Sequence, residues 1–217
     1  MARVRRVPGT QERLAASRYS INDPHNWRGH WHDLYPQQQP LIIEIGSGRG
    51  RWLYHMAKAH PENNYLGVDV VPEIIMDAID EYGARTDTTE LIRFLWLDAE
   101  HLDEIFAPGE VSDIYLHFSD PWPKKRHAKR RLTHRGFLDI YQYILADTGK
   151  VHFKTDSQDF FTFALEEFEA CGWRLEDVTR DLYANLPEDN IATEYERRFH
   201  KRGLPICHLC AYPPHKA

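Results

Sequence analysis

Cysteine is scarce in this chain: Cys171, Cys207 and Cys210 are its only three. An odd, low count does not suggest a disulfide framework and fits a reducing cytoplasm. Cys207 and Cys210 have C-x-x-C spacing, but I-C-H-L-C-A-Y reads as a strand, on which residues three apart face opposite ways. Neither a redox pair nor a metal pair is expected from them. No apolar run approaches the length of a membrane span, and the Arg-rich N-terminus lacks the apolar core of a secretory signal. Internal repeats are absent. The sequence holds 13 histidines, and none stands at metal-ligand spacing from a second ligand. His117, His127, His152 and His208 are therefore expected to be structural or surface residues, and no metal is expected.

An overall excess of positive charge is missing too. The net charge is -6, which at first argues against a polyanionic partner. The average hides a segregation. Residues 1–18 carry five Arg against one acid, and residues 121–136 carry seven Lys or Arg and no acid, whereas the other 183 residues hold 15 bases and 32 acids. It is the local field that steers a polyanion. With 42% apolar and 28% charged residues the chain is globular, and 217 residues suffice for one α/β domain with a short extension.

Residues 1–40 are expected to form a basic, aromatic N-terminal arm, with Tyr19, Trp27, Trp31 and Tyr35 either contacting RNA or packing on the core; residues 41–217 form the domain. Leu41 to Ile45 is a short buried strand. G-S-G-R-G follows, and a helix from Arg51 is stopped by Pro61. Gly46, Gly48 and Gly50 allow a tight turn and close approach of a ligand to backbone. A second strand, Tyr65 to Val68, ends at Asp69, a spacing that suits a carboxylate accepting from ribose hydroxyls. Pro72 opens a helix to about Tyr82. Strands Ile92–Leu97 and Asp113–Phe118 end at Asp98 and at Ser119-Asp120. A helix is expected over Thr133–Asp147, a fifth strand over Val151–Thr155, a helix over 158–171, and strands over Trp173–Val178 and Ile206–Tyr212, with Phe160, Phe161 and Phe163 in the core. This β-α-β-α-β order implies a doubly wound, mostly parallel sheet.

Glu44, Asp69, Asp98 and Asp120 thus lie in series near strand ends. Carboxylates repel phosphates, which counts against a dinucleotide or ATP. They suit a cationic ligand without phosphate, such as S-adenosylmethionine. Beside Asp120 stands P-W-P followed by Lys124, Lys125, Arg126, Lys129, Arg130 and Arg131, a loop suited to a polyanion. Trp122 is a candidate for stacking on a splayed-out base or for the core. Three rivals are weighed. A methyltransferase for small molecules or proteins leaves the basic loop unexplained. A nicotinamide oxidoreductase lacks the third glycine of the spaced fingerprint. A non-catalytic RNA-binding subunit has no use for the acids.

Several segments together resemble the bacterial tRNA (guanine-N7)-methyltransferases over nearly the whole chain. They are V-R-R-V-P-G-T, E-I-G-S-G-R-G, N-Y-L-G-V-D, F-S-D-P-W-P-K-K-R-H-x-K-R-R-L-T, F-K-T-D and T-E-Y-E-x-x-F. The resemblance implies a class I methyltransferase (Rossmann-like) α/β fold whose seventh strand runs antiparallel. It implies S-adenosylmethionine bound by Glu44, Gly46, Asp69, Asp98 and Asp120, with Asp120 also catalytic. It implies substrate contacts at Lys124, Asp156, Thr193, Glu194, Tyr195 and Glu196, and an RNA-interaction run through Lys125, Arg126, Lys129, Arg130 and Arg131. The expected product is 7-methylguanosine in the tRNA variable loop (position 46 in the family), made by a cytoplasmic monomer or homodimer. The chain departs from the pattern at His117 and Ser157, which replace Asn, and at Arg49, which replaces Lys.

Overall fold

L-I-I-E-I is buried along its whole length and sits near the middle of the sheet, as a strand covered on both faces must. The computed structural model describes residues 5–214; the first four residues of the basic N-terminal segment and the last three of the chain lie outside these. The strands are β1 (Leu41–Ile45), β2 (Asn64–Asp69), β3 (Ile92–Trp96), β4 (Val111–His117), β5 (Leu145–Thr155), β6 (Arg174–Thr179) and β7 (Cys207–Tyr212). They form one sheet in the order β3-β2-β1-β4-β5-β7-β6. The first five are parallel, and β7 runs antiparallel to both β5 and β6. The order reverses between β1 and β4, so a crevice opens outside their carboxyl ends, where sheets of this type place ligands.

Side-chain alternation along β1 divides the core. Ile42 joins Trp52, Leu53, Ile75, Ile79 and Phe94 on one face, covered by α2 (Arg51–Ala59) and α3 (Pro72–Gly83). Ile43 and Ile45 join Leu102, Phe137, Tyr141, Phe161 and Phe168 on the other, under α4 (Leu102–Ile105), α5 (Arg135–Ile144) and α6 (Gln158–Ala170). Phe160 is buried as expected, whereas Phe163 is half-buried beneath the Arg131 guanidinium, 4.2 Å away.

The N-terminal segment packs on the domain. Helix α1 (Thr10–Ala16) lies against α3 and is tied to it by two Arg13–Asp80 contacts of 2.7 Å. Tyr19 and Ile21 flank edge strand β3, with the Phe94 amide donating to Tyr19 O and the Ile21 amide to Phe94 O, so the open edge is paired. Trp31 is fully buried, stacks on Phe106 and donates to Ile105 O at 2.8 Å. Tyr35 donates to Tyr65 O. Of the two roles open to these aromatics, Tyr19, Trp31 and Tyr35 take core packing.

One expected helix is too long. Helix α5 stops at Ile144 because Leu145 turns extended and pairs with Val111, so β5 begins six residues before Val151. Leu145 continues the apolar helical stripe, which is why the sequence pattern overruns. Gly149 is required inside β5: a Cβ there would lie 2.5 Å from Ser112 O. Helix α7 (Glu194–His200) was not expected at all.

Candidate active site

The glycine loop after β1 is built for contact with backbone. Gly46, Gly48 and Gly50 all have positive φ, and at Gly50 a Cβ would strike the Phe94 ring at 2.5 Å. Gly48 N donates to Asp69 Oδ2 at 3.2 Å, and Val71 N to Asp69 Oδ1 at 3.0 Å. The end of β2 is thereby fixed against the loop. Burial raises the Asp69 carboxyl above its ordinary range, and the backbone donors pull it back.

Glu44 lies within β1 and not at its end. Its Oε1 is 2.9 Å from Nδ1 of His117 on β4, and both side chains are buried. Burial, reinforced by Asp69, raises the Glu44 carboxyl well above its usual range. Burial, reinforced by Lys154, holds His117 well below its own. Both effects favour the neutral forms. Trp52 packs edge-on against the imidazole at 4.6 Å. His117, expected to be merely structural or at the surface, is thus the partner of an expected ligand residue.

Asp98 caps the 3₁₀ turn Ala99–His101 through Glu100 N and is exposed. Asp120 follows β4 between two residues held at positive φ, Phe118 (51°) and Trp122 (40°). Left-handed backbone at bulky residues costs about 1–3 kcal/mol each and clusters where a side chain must be aimed. Among the described residues, five shielded polar atoms of this region have no hydrogen-bond partner: Glu44 Oε2, Ser47 Oγ, His117 Nε2, Ser119 Oγ and Asp120 Oδ2. All belong to β1, β4 or the loops that leave them. Unpaired buried polar atoms are rare unless a ligand completes them. A ligand bearing hydroxyl and ammonium donors fits this set.

Residues 121–123 hold no regular structure, and Lys125–Arg130 then winds into a 3₁₀ turn. Lys124, Lys125, Arg126, Lys129 and Arg130 are exposed, and among the described residues none pairs with an acid. Arg131 differs. Its guanidinium donates to Pro121 O and Trp122 O at 2.9 and 3.0 Å, clamping the loop. Trp122 is half-buried under Arg130 and beside His127.

The T-E-Y-E segment divides its labour. Thr193 caps α7, accepting from Glu196 N. Glu194 pairs with Arg51 of α2, which also holds Glu81 at 2.6 Å. Tyr195 is 58% exposed and faces the Phe118 ring at 6.3 Å. Glu196 is fully buried: it accepts from Lys154 Nζ at 2.9 Å, Asn190 Nδ2 at 2.9 Å and Tyr183 OH at 3.2 Å. That burial departs from the substrate contact the resemblance implied for Glu196. Lys154 went unmarked in the sequence, although a lone lysine in V-H-F-K-T is itself a signal, because a charge on a buried strand needs a partner. Asp156 follows β5, half-buried, its side chain without a hydrogen bond among the described residues.

The expectation that no histidine has a second ligand beside it does not hold once the sheet forms. Pairing of β5 with β7 sets His152 opposite Cys210, with His208 alongside. Cys207 faces the other way, as strand alternation requires, with its Sγ 3.7 Å from Arg180 O.

A family model described as "Putative methyltransferase" matches residues 38–209. A tRNA (guanine-N(7)-)-methyltransferase of Lachnoclostridium phytofermentans is 44% identical over 97% of this chain and 98% of its own length. One of Enterococcus faecalis is 46% identical over 94% and 95%. Among solved structures, the 16S rRNA methyltransferase KamB superposes with a TM-score of 0.61 at 16% identity, covering 90% of this chain and 95% of that one. The 16S rRNA (adenine(1408)-N(1))-methyltransferase of Catenulisporales acidiphilia gives 0.60 at 16% identity, with 91% and 96% covered. These two share the class I fold.

Proposed function

The chain belongs to the bacterial tRNA (guanine-N(7)-)-methyltransferases, and from that premise we propose how its own residues carry out the reaction. It transfers a methyl group from S-adenosylmethionine to N7 of a guanine in tRNA, the variable-loop guanine in our reading. Bound S-adenosylmethionine supplies an electrophilic methyl on a sulfonium. Asp69, half-buried at the end of β2 and held by two backbone donors, presents a carboxylate edge to the ribose hydroxyls. Gly46 and its loop allow close approach, and Glu44 Oε2 and Asp98 supply further acceptors.

Guanine N7 carries a lone pair and no proton, so no base is required to create the nucleophile. The work left to the protein is alignment and charge. Methylation makes the purine cationic. Asp120, at the end of β4, sets a carboxylate where that charge develops. The observation carrying this reading is the shielded, unpartnered Asp120 Oδ2 beside an unpaired cationic turn. Lys124, Asp156 and Tyr195 serve as the substrate contacts in this reading, Tyr195 lying 6.3 Å from the Phe118 ring that precedes Asp120. Thr193 and Glu194 contribute by fixing α7.

Incubation with labelled S-adenosylmethionine and unmodified tRNA, followed by mapping of the modified base, tests the assignment. Label is expected at one variable-loop guanine N7. Label on another base, or none, overturns it. The basic turn positions RNA without reading sequence. Replacing Lys125, Arg126 and Arg130 together by Ala is expected to weaken tRNA binding and flatten its log–log salt dependence by about 2. Turnover at saturating tRNA should change little. A salt slope equal to the parent's would reduce the turn to solvated surface.

A further inference from the structure

We infer that His152, His208 and Cys210 form a zinc site on the sheet face away from α5 and α6. The ligand atoms of the three side chains all lie within 4.8 Å of one another. Cys210 Sγ is 3.5 Å from His152 Nδ1 and 3.9 Å from His208 Nε2. Zinc bonds of about 2.3 Å to sulfur and about 2.0–2.1 Å to nitrogen require a tetrahedral S···N edge of about 3.6 Å. The apo geometry already approaches that edge. Strand pairing sets it: His152 stands opposite Cys210 across β5–β7, and His208 precedes Cys210 by two on the same face. Ligands on paired strands lose little freedom on binding.

The surroundings are those of a metal site. The second ring nitrogen of His152, Nε2, lies 3.4 Å from Asp113 Oδ2, the carboxylate–histidine arrangement that fixes a ligating tautomer. Asp113 is itself held by an Oδ1 contact from Lys150 N at 3.0 Å. The Tyr115 ring stacks on His152 at 4.0 Å and 4° and blocks rotation of the imidazole. On the far side, β6 is irregular between Glu176 and Thr179, and Asp177 there has a φ of 53°. Bulges re-aim side chains. Three side chains supply the ligands, and a fourth position is left for water. Lys150 and Lys154 are the nearby cations, opposed by Asp113 and Asp177.

Neutral imidazoles are the ligating form. The thiol needs a cation to ionise, so zinc binding releases its proton to solvent while the sulfur lone pair forms the bond. Two imidazoles and one thiolate are a donor set suited to zinc. The site would tie the antiparallel β7 to β5.

The full chain, stripped with chelator and titrated with zinc in calorimetry, is expected to bind one equivalent and to melt at a higher temperature. Cobalt in place of zinc should give a thiolate charge-transfer band and the intense visible bands of a tetrahedral site. Cys210→Ser should abolish the charge-transfer band. His208→Gln should lower zinc affinity more than about 100-fold, and Asp113→Asn by about 10–100-fold. Cys171→Ser should leave binding intact. Failure of the folded, stripped protein to bind zinc overturns the proposal, as does binding that survives His208→Gln. Because His208 is half-buried, that variant decides the matter even if Cys210→Ser does not fold.

Discussion

Asp120→Asn is expected to lower kcat by about 10²–10³-fold, equivalent to about 3–4 kcal/mol of lost transition-state stabilisation, while leaving tRNA affinity close to normal. The substitution keeps the shape of the side chain and removes its charge. The charge is what the developing purinium requires, and it is required only as the methyl transfers, so kcat and kcat/KM should fall together. The local backbone holds the side chain in place. Phe118 and Trp122, on either side, sit at φ values of 51° and 40°. Arg131 secures the following turn through the Pro121 and Trp122 carbonyls. Steady-state kinetics on a tRNA transcript, with binding measured separately by filter retention, checks the split. Unchanged turnover would remove Asp120 from the chemistry. A loss confined to KM would make it a docking residue.

The order of strands and helices was legible because each element carries its own signal. L-I-I-E-I is an unbroken apolar run, G-S-G-R-G turns the chain, and Pro61 and Pro72 punctuate helices that begin or end within two residues of expectation. Asp69 and Asp120 could be found by counting strand ends. What escaped depends on partners far away in the chain. The end of α5 is set by the pairing of Leu145 with Val111, 34 positions earlier, against a helical stripe that continues through it. Glu44 reads as a strand-end acid, but β1–β4 pairing brings it to His117, 73 positions on. The histidine–cysteine cluster arises only from the β5–β7 register. Short motifs singled out the residues of the T-E-Y-E segment. They could not say that Glu196 faces inward while Tyr195 faces out.

That inward turn carries the second large effect. Lys154→Met should destabilise the fold by about 3–5 kcal/mol, because Glu196 would keep its buried carboxylate and lose its cation. For a chain of this size the melting temperature should drop by roughly 10 °C. Tyr183 OH and Asn190 Nδ2 remain as donors to Glu196 Oε1, but Oε2 loses the Nζ contact at 2.9 Å. Glu196→Leu should cost a similar amount by stranding the ammonium, which Asn190 Oδ1 alone would then hold at 2.5 Å. The double variant Lys154→Met/Glu196→Leu should recover most of the loss, since neither charge is then left buried and alone. Single-variant melting within a degree or so of the parent would show that the pair is not what anchors α7. The pair also bears on substrate. It fixes α7 beside the end of β5, where Phe199 and Tyr195 face Phe118 at 5.8 and 6.3 Å, two residues before Asp120. In the double variant, recovered stability with impaired turnover would therefore assign the ion pair to placing α7 over the end of β4, and equal recovery of both would assign it to stability alone.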